Sequence, residues 1–415
     1  MIKTIKNIED VVKGHLCSGC GACAFLSDDI TMIDDVSVGR RPIFTNSSDE
    51  QLLDACPGWK LSRDDAASKH PNLISSLYKQ WGGVIEVWEA YASDGQIRRS
   101  GSSGGVITAL SLYCLEVGEM AGVLNTHAGA SDPVINETSI SKSREQLLSA
   151  TGSRYSPSSP CEKLNEIEKL DGSCVFVGKP CDAAAVYKVR RKRKEVDQKL
   201  GVVISFFCAG VPSTLGVKQL IKKVTKGKQG KVGSLRFRGN GWPGLWRLKY
   251  KVGKHVSTET LTYQDSWGFL QKYRQWRCHI CPDHTGEFSD ISVGDPWYRP
   301  ADDEQGKSLV LIRTDKGRRI LHAAVDAGYI VLGSSDPAML AGSQPNLISA
   351  KAVLWGRIFA LKISGAASPI YTGFGLFEFW LNDLTFKQKF LSIAGTVKRV
   401  FLKKLFINYT VKKVD

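Results

Sequence analysis

The segment HLCSGCGACAF, residues 15–25, carries three cysteines at three-residue intervals, and this spacing constrains the local fold more than any other feature of the chain. In the bacterial ferredoxin run C-x2-C-x2-C-x3-C-P, the fourth cysteine ligates a different cluster. Here that fourth position is Ser27, and the next cysteine along the chain is followed by Pro57. We therefore predict one 4Fe-4S site with a remote fourth ligand. Its predicted ligands are Cys17, Cys20, Cys23 and Cys56.

A structural zinc site is the main alternative for these thiols, although zinc sites usually pair C-x2-C units. Disulfides are not expected, because cysteines this close in sequence cannot pair without strain. The residues before Cys56 predict a short helix that delivers this thiol and ends at Pro57-Gly58.

The composition sets the compartment and the class of partner. The chain has 415 residues, of which 42% are hydrophobic and 23% charged, which is typical of a folded protein of several domains. Eleven cysteines follow an N-terminus without the apolar core of a signal peptide, so we expect a cytoplasmic location. The net charge of +15 is concentrated in residues 190–194, residues 222–231 and the C-terminal tail. No nucleic-acid-binding motif accompanies these runs, and no nucleic-acid partner is expected.

The middle of the chain predicts a βαβ unit. Apolar residues 173–177 and 201–207 indicate two buried strands, and the segment from Asp182 to about Lys199 indicates the helix between them. The strands of such a unit are parallel and usually neighbours. Cys181, in the loop after the first strand, and Cys208, at the end of the second, then lie at the carboxyl edge of the sheet.

Cys278-x-x-Cys281 supplies two further thiols, which makes a second 4Fe-4S site plausible. Two alternatives remain open from spacing alone. One is a zinc site that uses Cys278, Cys281 and either His279 or His284. The other is that Cys181 and Cys208 are ordinary buried thiols. Of the remaining cysteines, Cys161 has no recognisable partner pattern.

The segment SGSSGGVITAL leads from a glycine–serine loop into a helix predicted from about Val106 to Val117. The positive end of that helix and the backbone amides of the loop suit a phosphate or pyrophosphate group. The alternative is a tight turn with no ligand. GNGWPG, residues 239–244, matches G-x-G-x-x-G by letter, but Pro243 and the strand-like sequence after it argue against a dinucleotide fingerprint.

Taken together, these motifs make the chain resemble the coenzyme F420 hydrogenase/dehydrogenase beta-subunit family, to which 7-hydroxymethyl chlorophyll a reductase and a divinyl chlorophyllide reductase of cyanobacterial type are related. The resemblance covers roughly residues 15–300. It rests on CSGCGACAF with CPG, SGSSGGVITAL, TGSRYSPS, FVGKPCDAAA, FFCAGVPS, FRGNGWPG and CHICPDHTGEFSDISVGDPW.

The resemblance implies an α/β (α+β) fold, in which an N-terminal ferredoxin-like iron–sulfur domain precedes an α/β flavin-binding domain with a second iron–sulfur site. The expected boundaries are residues 1–65, 66–165, 166–345 and a basic tail at 346–415. FAD and one or two 4Fe-4S clusters are the implied cofactors. The implied second ligand set is Cys181, Cys208, Cys278 and Cys281. The implied flavin positions are Ser102, Ser103, Gly104, Gly105, Gly152, Ser153, Arg154, Tyr155, Gly178 and Lys179.

The expected function is that of an iron–sulfur flavoprotein oxidoreductase. Electrons would pass from reduced ferredoxin, a deazaflavin coenzyme or another redox donor, through the two clusters and FAD, to a small organic substrate. Lys179 and Arg154 are expected to stabilise reduced flavin, and the candidate proton donors are Tyr155, His284 and Asp295. One alternative is an electron-transfer subunit of a larger complex without substrate chemistry of its own. Another is a zinc-binding, non-redox protein. The sequence leaves a homo-oligomer open.

The tail from Phe386 has eight lysines and arginines against one acid, Asp415. A basic amphipathic helix of this kind is typical of peripheral contact with an anionic membrane surface, here the inner face. Packing on the protein and docking to an acidic partner such as ferredoxin are the alternatives. The apolar stripe at helical spacing consists of Phe390, Ile393, Val397, Val400, Phe401 and Leu405.

Overall fold

The computed structural model describes residues 4–46, 50–63, 65–299 and 305–412. The strands of the described residues are β1 (Ile30–Asp35), β2 (Gly39–Phe44), β3 (Lys60–Ser62), β4 (Glu86–Ala92), β5 (Gly122–Ala128), β6 (Asn136–Ser141), β7 (Cys174–Gly178), β8 (Leu200–Phe206), β9 (Lys231–Arg236), β10 (Trp246–Val252), β11 (His255–Leu261), β12 (Ile291–Gly294), β13 (Ser308–Ile312), β14 (Ile330–Leu332) and β15 (Ile370–Thr372).

The α-helices of the same residues are α1 (Ile8–Lys13), α2 (Ala22–Leu26), α3 (Ser75–Trp81), α4 (Gly95–Ser100), α5 (Val106–Glu116), α6 (Arg144–Ser149), α7 (Leu164–Glu168), α8 (Pro180–Val189), α9 (Lys194–Lys199), α10 (Thr214–Val224), α11 (Tyr263–Leu270), α12 (Asp315–Asp326), α13 (Met339–Ser343), α14 (Pro345–Ala352), α15 (Leu354–Ile363), α16 (Leu376–Asn382) and α17 (Phe386–Leu402). Short 3-10 helices cover Glu50–Ala55, Asp65–Lys69, Pro160–Lys163, Gln271–Tyr273 and Trp276–Ile280.

An eight-stranded mixed sheet, in the order β14-β4-β13-β12-β8-β7-β5-β6, is the centre of the molecule. Its middle strands β5, β7, β8 and β12 are parallel, and antiparallel strands flank them on both sides. Buried apolar side chains cover both faces, with α5 and α12 packing on one face and α7 and α8 on the other. This is a mixed α/β fold, as expected.

The predicted βαβ unit is present, because β7 and β8 are parallel neighbours. The helix between them starts two residues before the expected Asp182: Pro180 opens α8, and the backbone N–H of Lys179 donates to Asp182 Oδ2 at 2.9 Å. The expectation of one continuous helix to Lys199 is wrong. Residues 190–193 form a turn that separates α8 from α9. In this turn Arg190 pairs with Asp197 at 2.5 Å and Arg193 pairs with Glu168 at 2.7 Å.

The N-terminal segment shares its core with the rest of the chain. Cys20, Ala22 and Ala55 pack with Phe176 of β7 and Ala183 of α8. The ferredoxin-like character of this segment and the four domain boundaries stay predictions.

The C-terminal segment also packs on the N-terminal one. Strand β15 pairs in parallel with β3, with Ile370 opposite Lys60. Tyr409 N donates to Lys13 O at 2.9 Å, and its hydroxyl donates to Asp35. The predicted tail helix forms as α17, and residues 346–412 are folded onto the protein.

A separate three-stranded antiparallel sheet, β11-β10-β9, packs on α10 and α11. The sequence GNGWPG lies in the connection from β9 to β10, so a strand and not a helix follows it. The rejection of a dinucleotide fingerprint is therefore confirmed. Among the helices of the described residues, none combines the length and the apolar character that crossing a bilayer requires.

Candidate functional site

The first cysteine loop is shaped by two glycines with left-handed backbone, Gly19 at φ 74° and Gly21 at φ 88°. A Cβ on Gly19 would approach the carbonyl oxygen of Arg40 to 2.7 Å, so a larger residue does not fit between the loop and β2. The backbone N–H of Gly19 donates to Cys17 Sγ at 3.4 Å. Amides aimed at a sulfur in this way favour its anionic form, which is the form that binds metal.

The four thiols of the first set are neighbours in space. Cys56 follows the 3-10 helix at Glu50–Ala55, in agreement with the short helix expected there. Burial, together with the nearby thiols of Cys20 and Cys17, raises the pKa of Cys56 to about 12. The pKa of Cys23 is raised by burial and then by Cys17, Cys20 and Cys56. Remote Cys56 is thus brought to the three-cysteine loop, as predicted.

Cys161 is a neighbour of this set that spacing did not reveal. Its backbone N–H donates to the carbonyl of Cys20 at 3.0 Å, and its thiol is fully buried. A hydrogen bond from the Cys161 thiol lowers the pKa of Cys20. No periodicity in the sequence signals a contact between two residues this far apart in the chain.

The second set assembles at the carboxyl edge of the parallel strands. Cys208 lies just beyond β8, and Cys278 and Cys281 lie in and just after the 3-10 helix at Trp276–Ile280. Cys181 is in the first turn of α8, whereas the sequence placed it in a loop. Burial raises the pKa of Cys208 to about 12, with further contributions from Cys278 and Cys281. Burial also raises the pKa of Cys181, and the nearby Asp182, Cys208 and Cys281 raise it further.

Backbone groups hold the second set in place. The N–H of Val211 donates to Cys278 Sγ at 3.3 Å, and Cys281 Sγ lies 3.0 Å from the carbonyl oxygen of Asp283. The ring of His284 contacts the Cys208 carbonyl through Nδ1 at 2.8 Å, and the Cys208 N–H donates back to the His284 carbonyl. Burial lowers the pKa of His284 to about 4. His284 therefore positions Cys208.

Eight cysteines in two groups of four make an all-thiol donor set, which is the ligand set of 4Fe-4S clusters. The two groups of thiols match that donor set in kind and number. A single bound metal ion is a different case. Within the described part of the chain, no three His, Cys, Asp or Glu side chains converge on a position where they could hold one metal ion.

Arg277 joins the two cysteine sets. Its side chain is buried, and Nη2 donates to the carbonyl of Pro57, next to Cys56, at 3.1 Å. Nη1 approaches the carbonyl of Ile280, next to Cys281, at 3.3 Å. The guanidinium also lies 5.6 Å from the ring of Tyr371. One buried cation thus contacts a cysteine-bearing segment of each set.

A cavity of about 290 Å³ opens at the same sheet edge, beyond the ends of β5, β7, β8 and β12. Cys208 lines it and belongs to the second cysteine set. No cysteine of the first set is on its wall. The resemblance-implied residues that do line it are Ser102, Ser103, Gly105, Gly152, Ser153, Arg154, Tyr155, Gly178 and Lys179.

Gly104 is the exception, because it faces the sheet. A Cβ there would meet the Ala90 carbonyl at 2.7 Å and the Ser308 backbone nitrogen at 2.8 Å. Its own N–H donates to Ser308 Oγ at 2.9 Å. Gly105 adopts φ 74° immediately before α5, which begins at Val106 as predicted. Gly104 therefore serves the packing of the loop on the sheet, whereas Ser102, Ser103 and Gly105 face the cavity.

The two cations expected at the flavin are held by protein partners. Arg154 donates to Asn136 Oδ1 at 2.7 Å and to the carbonyls of Pro133 and Leu235, and burial lowers its pKa to about 10. Lys179 Nζ pairs with Asp182 at 2.7 Å and donates to Ser158 Oγ at 2.8 Å. Burial opposes the charge of Lys179, but Asp182 and the nearby thiols raise its pKa. Both cations lie on the cavity wall in fixed positions.

Arg238 is a cavity residue that sequence reasoning missed. It is buried and forms two hydrogen bonds with Asp295, at 2.8 and 2.7 Å, and it donates to the Ser102 carbonyl at 2.5 Å. Trp242 Nε1 donates to the same carboxylate at 3.1 Å. Arg238 lies in FRGNGWPG, a motif that contributes to the family resemblance but assigns no role to this arginine.

Aromatic rings surround this ion pair. Arg238 lies 4.9 Å from the ring of Tyr263 and 5.4 Å from that of Trp297, and these two rings stack at 5.1 Å. Tyr155 contacts Trp267 at 5.1 Å, and burial raises the pKa of Tyr155. Of the three candidate proton donors, Tyr155 and Asp295 are on the cavity wall and His284 is not.

Two family models match the chain, and both describe the beta subunit of coenzyme F420 hydrogenase/dehydrogenase. The model for the N-terminal part of that beta subunit matches residues 87–165. The model for its C-terminal part matches residues 171–338. Together they cover more than half of the chain.

Individual relatives agree with these models. The chain is 26% identical over 263 residues to coenzyme F420 hydrogenase subunit beta of Methanococcus voltae, a match that covers 60% of this chain and 84% of the relative. It is 25% identical over 252 residues to F420-dependent formate dehydrogenase 1 subunit beta of Methanococcus maripaludis, covering 61% and 62% of the two chains.

Among solved structures, a chain of the F420-reducing NiFe hydrogenase complex from Methanosarcina barkeri matches with a TM-score of 0.51 and 24% identity. The match covers 66% of this chain and 93% of that one. This likeness shows a shared fold.

Proposed function

This chain belongs to the coenzyme F420 hydrogenase/dehydrogenase beta-subunit family, and from that premise we propose that it is an iron–sulfur flavoprotein with two 4Fe-4S clusters and FAD. The position of Cys208 carries the proposal. Its thiol is a neighbour of Cys278 and Cys281, and the same residue lines the cavity that the implied flavin positions surround. One residue therefore belongs both to a set of four thiols and to the lining of the cavity.

The eight cysteines would hold the clusters, with Cys17, Cys20, Cys23 and Cys56 around one and Cys181, Cys208, Cys278 and Cys281 around the other. In space the sites follow the order first set, second set, cavity, since only the second set reaches the cavity wall. Arg277 lies between the two sets. This order supports electron entry at the first set.

FAD, when bound, would connect one-electron with two-electron chemistry. The chain's own residues do the rest. The Ser102–Gly105 loop at the start of α5 offers amides and hydroxyls near a helix N-terminus, which suits a pyrophosphate. Arg154 places a fixed positive charge on the wall, and Lys179 lies there as the partner of Asp182. Tyr155 holds a proton at the cavity because burial disfavours its anion.

Reduced ferredoxin or a deazaflavin coenzyme is the proposed donor, and a small organic molecule is the proposed substrate. The names of the relatives, which refer to coenzyme F420, favour the deazaflavin. A second candidate function is an electron-transfer subunit without substrate chemistry of its own, and it is favoured by the word subunit in those same names.

Absorption spectra and iron analysis of anaerobically purified protein test the proposal. We expect flavin bands, a broad absorption from iron–sulfur clusters, about eight iron atoms and one FAD per chain. Cys23→Ala should lose roughly half of the iron and keep the flavin. Cys208→Ala should lose the other half and also slow reduction of the flavin by an external donor.

Cys114→Ala is the matched control, because Cys114 is a buried core thiol on α5 that belongs to neither set. Its iron content should equal that of the unaltered chain. A colourless protein that binds zinc would contradict the redox proposal, as would full iron content in Cys208→Ala.

A further inference from the structure

Most of the exposed large apolar side chains of the described residues lie after residue 358. Exposed apolar surface that is concentrated in one region marks a contact with another surface, whereas single scattered residues do not. The helix α17 carries the largest share: Phe386 (86% exposed), Leu402 (71%), Phe390 (62%), Phe401 (58%) and Leu391 (53%).

The inner face of α17 packs on the protein, and this holds the helix in place with the apolar side chains above exposed to solvent. Ser392, Thr396 and Val400 are buried at helical spacing. Trp380 Nε1 donates to Ser392 Oγ at 3.0 Å, and Val400 packs in the same core as Leu361 of α15. At the N-terminus, Thr385 and Gln388 form a capping box. The predicted apolar stripe is thus divided, since Val400 and Leu405 are buried whereas Phe390 and Phe401 are exposed.

The charge of α17 has one sign. The helix contains Lys387, Lys389, Lys398 and Arg399 and no acidic residue. Lys387 and Lys398 are exposed and, at about 100° per residue, project between the phenylalanines and the pair Leu391 and Leu402. Long lysine stems can lie along an apolar surface while the ammonium groups reach a polar layer.

A convex helix with large apolar side chains and interspersed cations matches the interfacial layer of a bilayer that contains anionic lipids. We propose that α17 docks this protein onto an anionic lipid surface, with its phenylalanines and leucines at the acyl boundary and its lysines at the headgroups. The docking surface is preformed, because the packing of the inner face of α17 on the protein fixes the orientation of the helix. The proposal is independent of the cofactors.

Vesicle sedimentation tests this surface with the full chain. The vesicles are large and unilamellar, made of phosphatidylcholine alone or of phosphatidylcholine with phosphatidylglycerol, over a series of salt concentrations. The chain should sediment with the anionic vesicles at low salt, and binding should fall as salt rises and be at least about tenfold weaker to neutral vesicles.

Two variants separate the contributions. F390S/F401S removes exposed apolar area, and K387E/K398E reverses exposed charge; each should weaken binding to anionic vesicles at least about tenfold. K222E/K228E is the matched control, since Lys222 and Lys228 are exposed cations on and just after α10. It has the same change of charge and should bind like the unaltered chain. Because all substituted positions are exposed, the far-ultraviolet circular dichroism and the iron and flavin contents should not change.

Three results would overturn the proposal. The first is a full chain that stays in the supernatant with anionic vesicles at low salt, and the second is F390S/F401S binding as tightly as the unaltered chain. The third is retention on an immobilised acidic ferredoxin that K387E/K398E loses, without vesicle binding; it would assign the surface to a protein partner.

Discussion

Arg277 shows how much one side chain can connect. It is 4% exposed, and its guanidinium spans the carbonyls of Pro57 and Ile280. Burial opposes its charge, but Tyr371 and the thiols of the second set raise its pKa, so the side chain remains a cation. With clusters in both sites, a buried cation between them stabilises the more negative, reduced form of each.

We therefore expect Arg277→Gln to lower the midpoint potentials of both clusters by tens of millivolts, and Arg277→Lys, which keeps the charge, to restore part of the shift. Redox titration followed by electron paramagnetic resonance measures both. Arg144→Gln is the control, because Arg144 is half-exposed on the surface, where it pairs with Asp94 and Glu116. Unchanged potentials in an Arg277→Gln protein with full iron content would refute this role.

At the scale of single residues, the sequence predicted the site where the spacing of cysteines alone defines a ligand pattern. The C-x2-C-x2-C run and the C-x-x-C pair predicted thiols that the structure does bring together with Cys56, Cys181 and Cys208. Arg277, Arg238 and Cys161 were not predictable as site residues, since each acts through a contact with a residue far away in the chain.

At the scale of elements, the loop before α5 depends on close packing. Gly104→Ala would press a methyl group against the backbone of β4 and β13. We expect a loss of stability of about 1–3 kcal/mol and weaker flavin binding, because the loop must move away from the sheet. Flavin content and the urea midpoint measure these effects.

Gly95→Ala is the matched control for Gly104→Ala. A Cβ at Gly95, the first residue of α4, would meet no atom within 4 Å. Its midpoint should stay equal or rise slightly, since alanine restricts the unfolded chain more than glycine does. Equal behaviour of the two variants would show that the loop tolerates the methyl group.

The segment from Cys281 to β12 is anchored by a buried carboxylate. Glu287 pairs with Arg63 at 2.7 Å and with Lys351 at 3.0 Å. Burial alone would raise the pKa of Glu287, but the two cations lower it from 4.5 to about 2. A depressed pKa gives stability that is complete above 4.5 and is lost as the pH falls towards 2, and the shift corresponds to about 3 kcal/mol.

Glu287→Gln should therefore be less stable at pH 7 and should lose less stability as the pH falls from 4.5 to about 2. Urea unfolding across this pH range measures the change. Glu195→Gln, at an exposed position on α9, should follow the unaltered chain. A Glu287→Gln curve parallel to that of the unaltered chain would mean that this ion pair does not govern acid stability.

Elements with strong periodicity were predicted well, and their interruptions were not. Residues 174–178 and 200–206 form the expected parallel strands, and α5 starts at the expected residue. The turn that separates α8 from α9 was missed, because the apolar pattern continues through it and an ion pair such as that of Arg193 with Glu168 joins segments that are distant in the chain.

For the whole molecule, the last helices share a hydrophobic core with the first cysteine set. Leu16, Cys17, Cys23 and Cys56 share a core with Val400, which is completely buried. Val400→Asp would place an unpaired carboxylate in the apolar core against which these thiols pack, so we expect loss of roughly half of the iron with flavin retained. Iron-to-flavin ratios measure the outcome.

The neighbouring position provides the control. Phe401→Asp introduces the same charge on the exposed side of α17 and should keep the full iron content. Equal iron content in both variants would indicate that the C-terminal helices do not support the first site.

The mixed α/β class was predictable from the βαβ unit, but the closure of the chain, in which the C-terminal segment packs on the N-terminal one, was not. The pairing of β15 with β3 depends on two three-residue strands whose partners are 310 positions apart and have no distinctive sequence. Short strands are stabilised by the side chains that pack on them, and a single sequence does not reveal which residues those are.

This closure has a consequence for biogenesis. During translation the thiols of Cys17, Cys20 and Cys23 leave the ribosome early, whereas Val400 and Leu405, which pack over their neighbourhood, emerge much later. If this set holds a cluster, as proposed, the side of the loop that faces these late residues would stay open to iron delivery until they are made. Docking of the last helix then completes the wall around it.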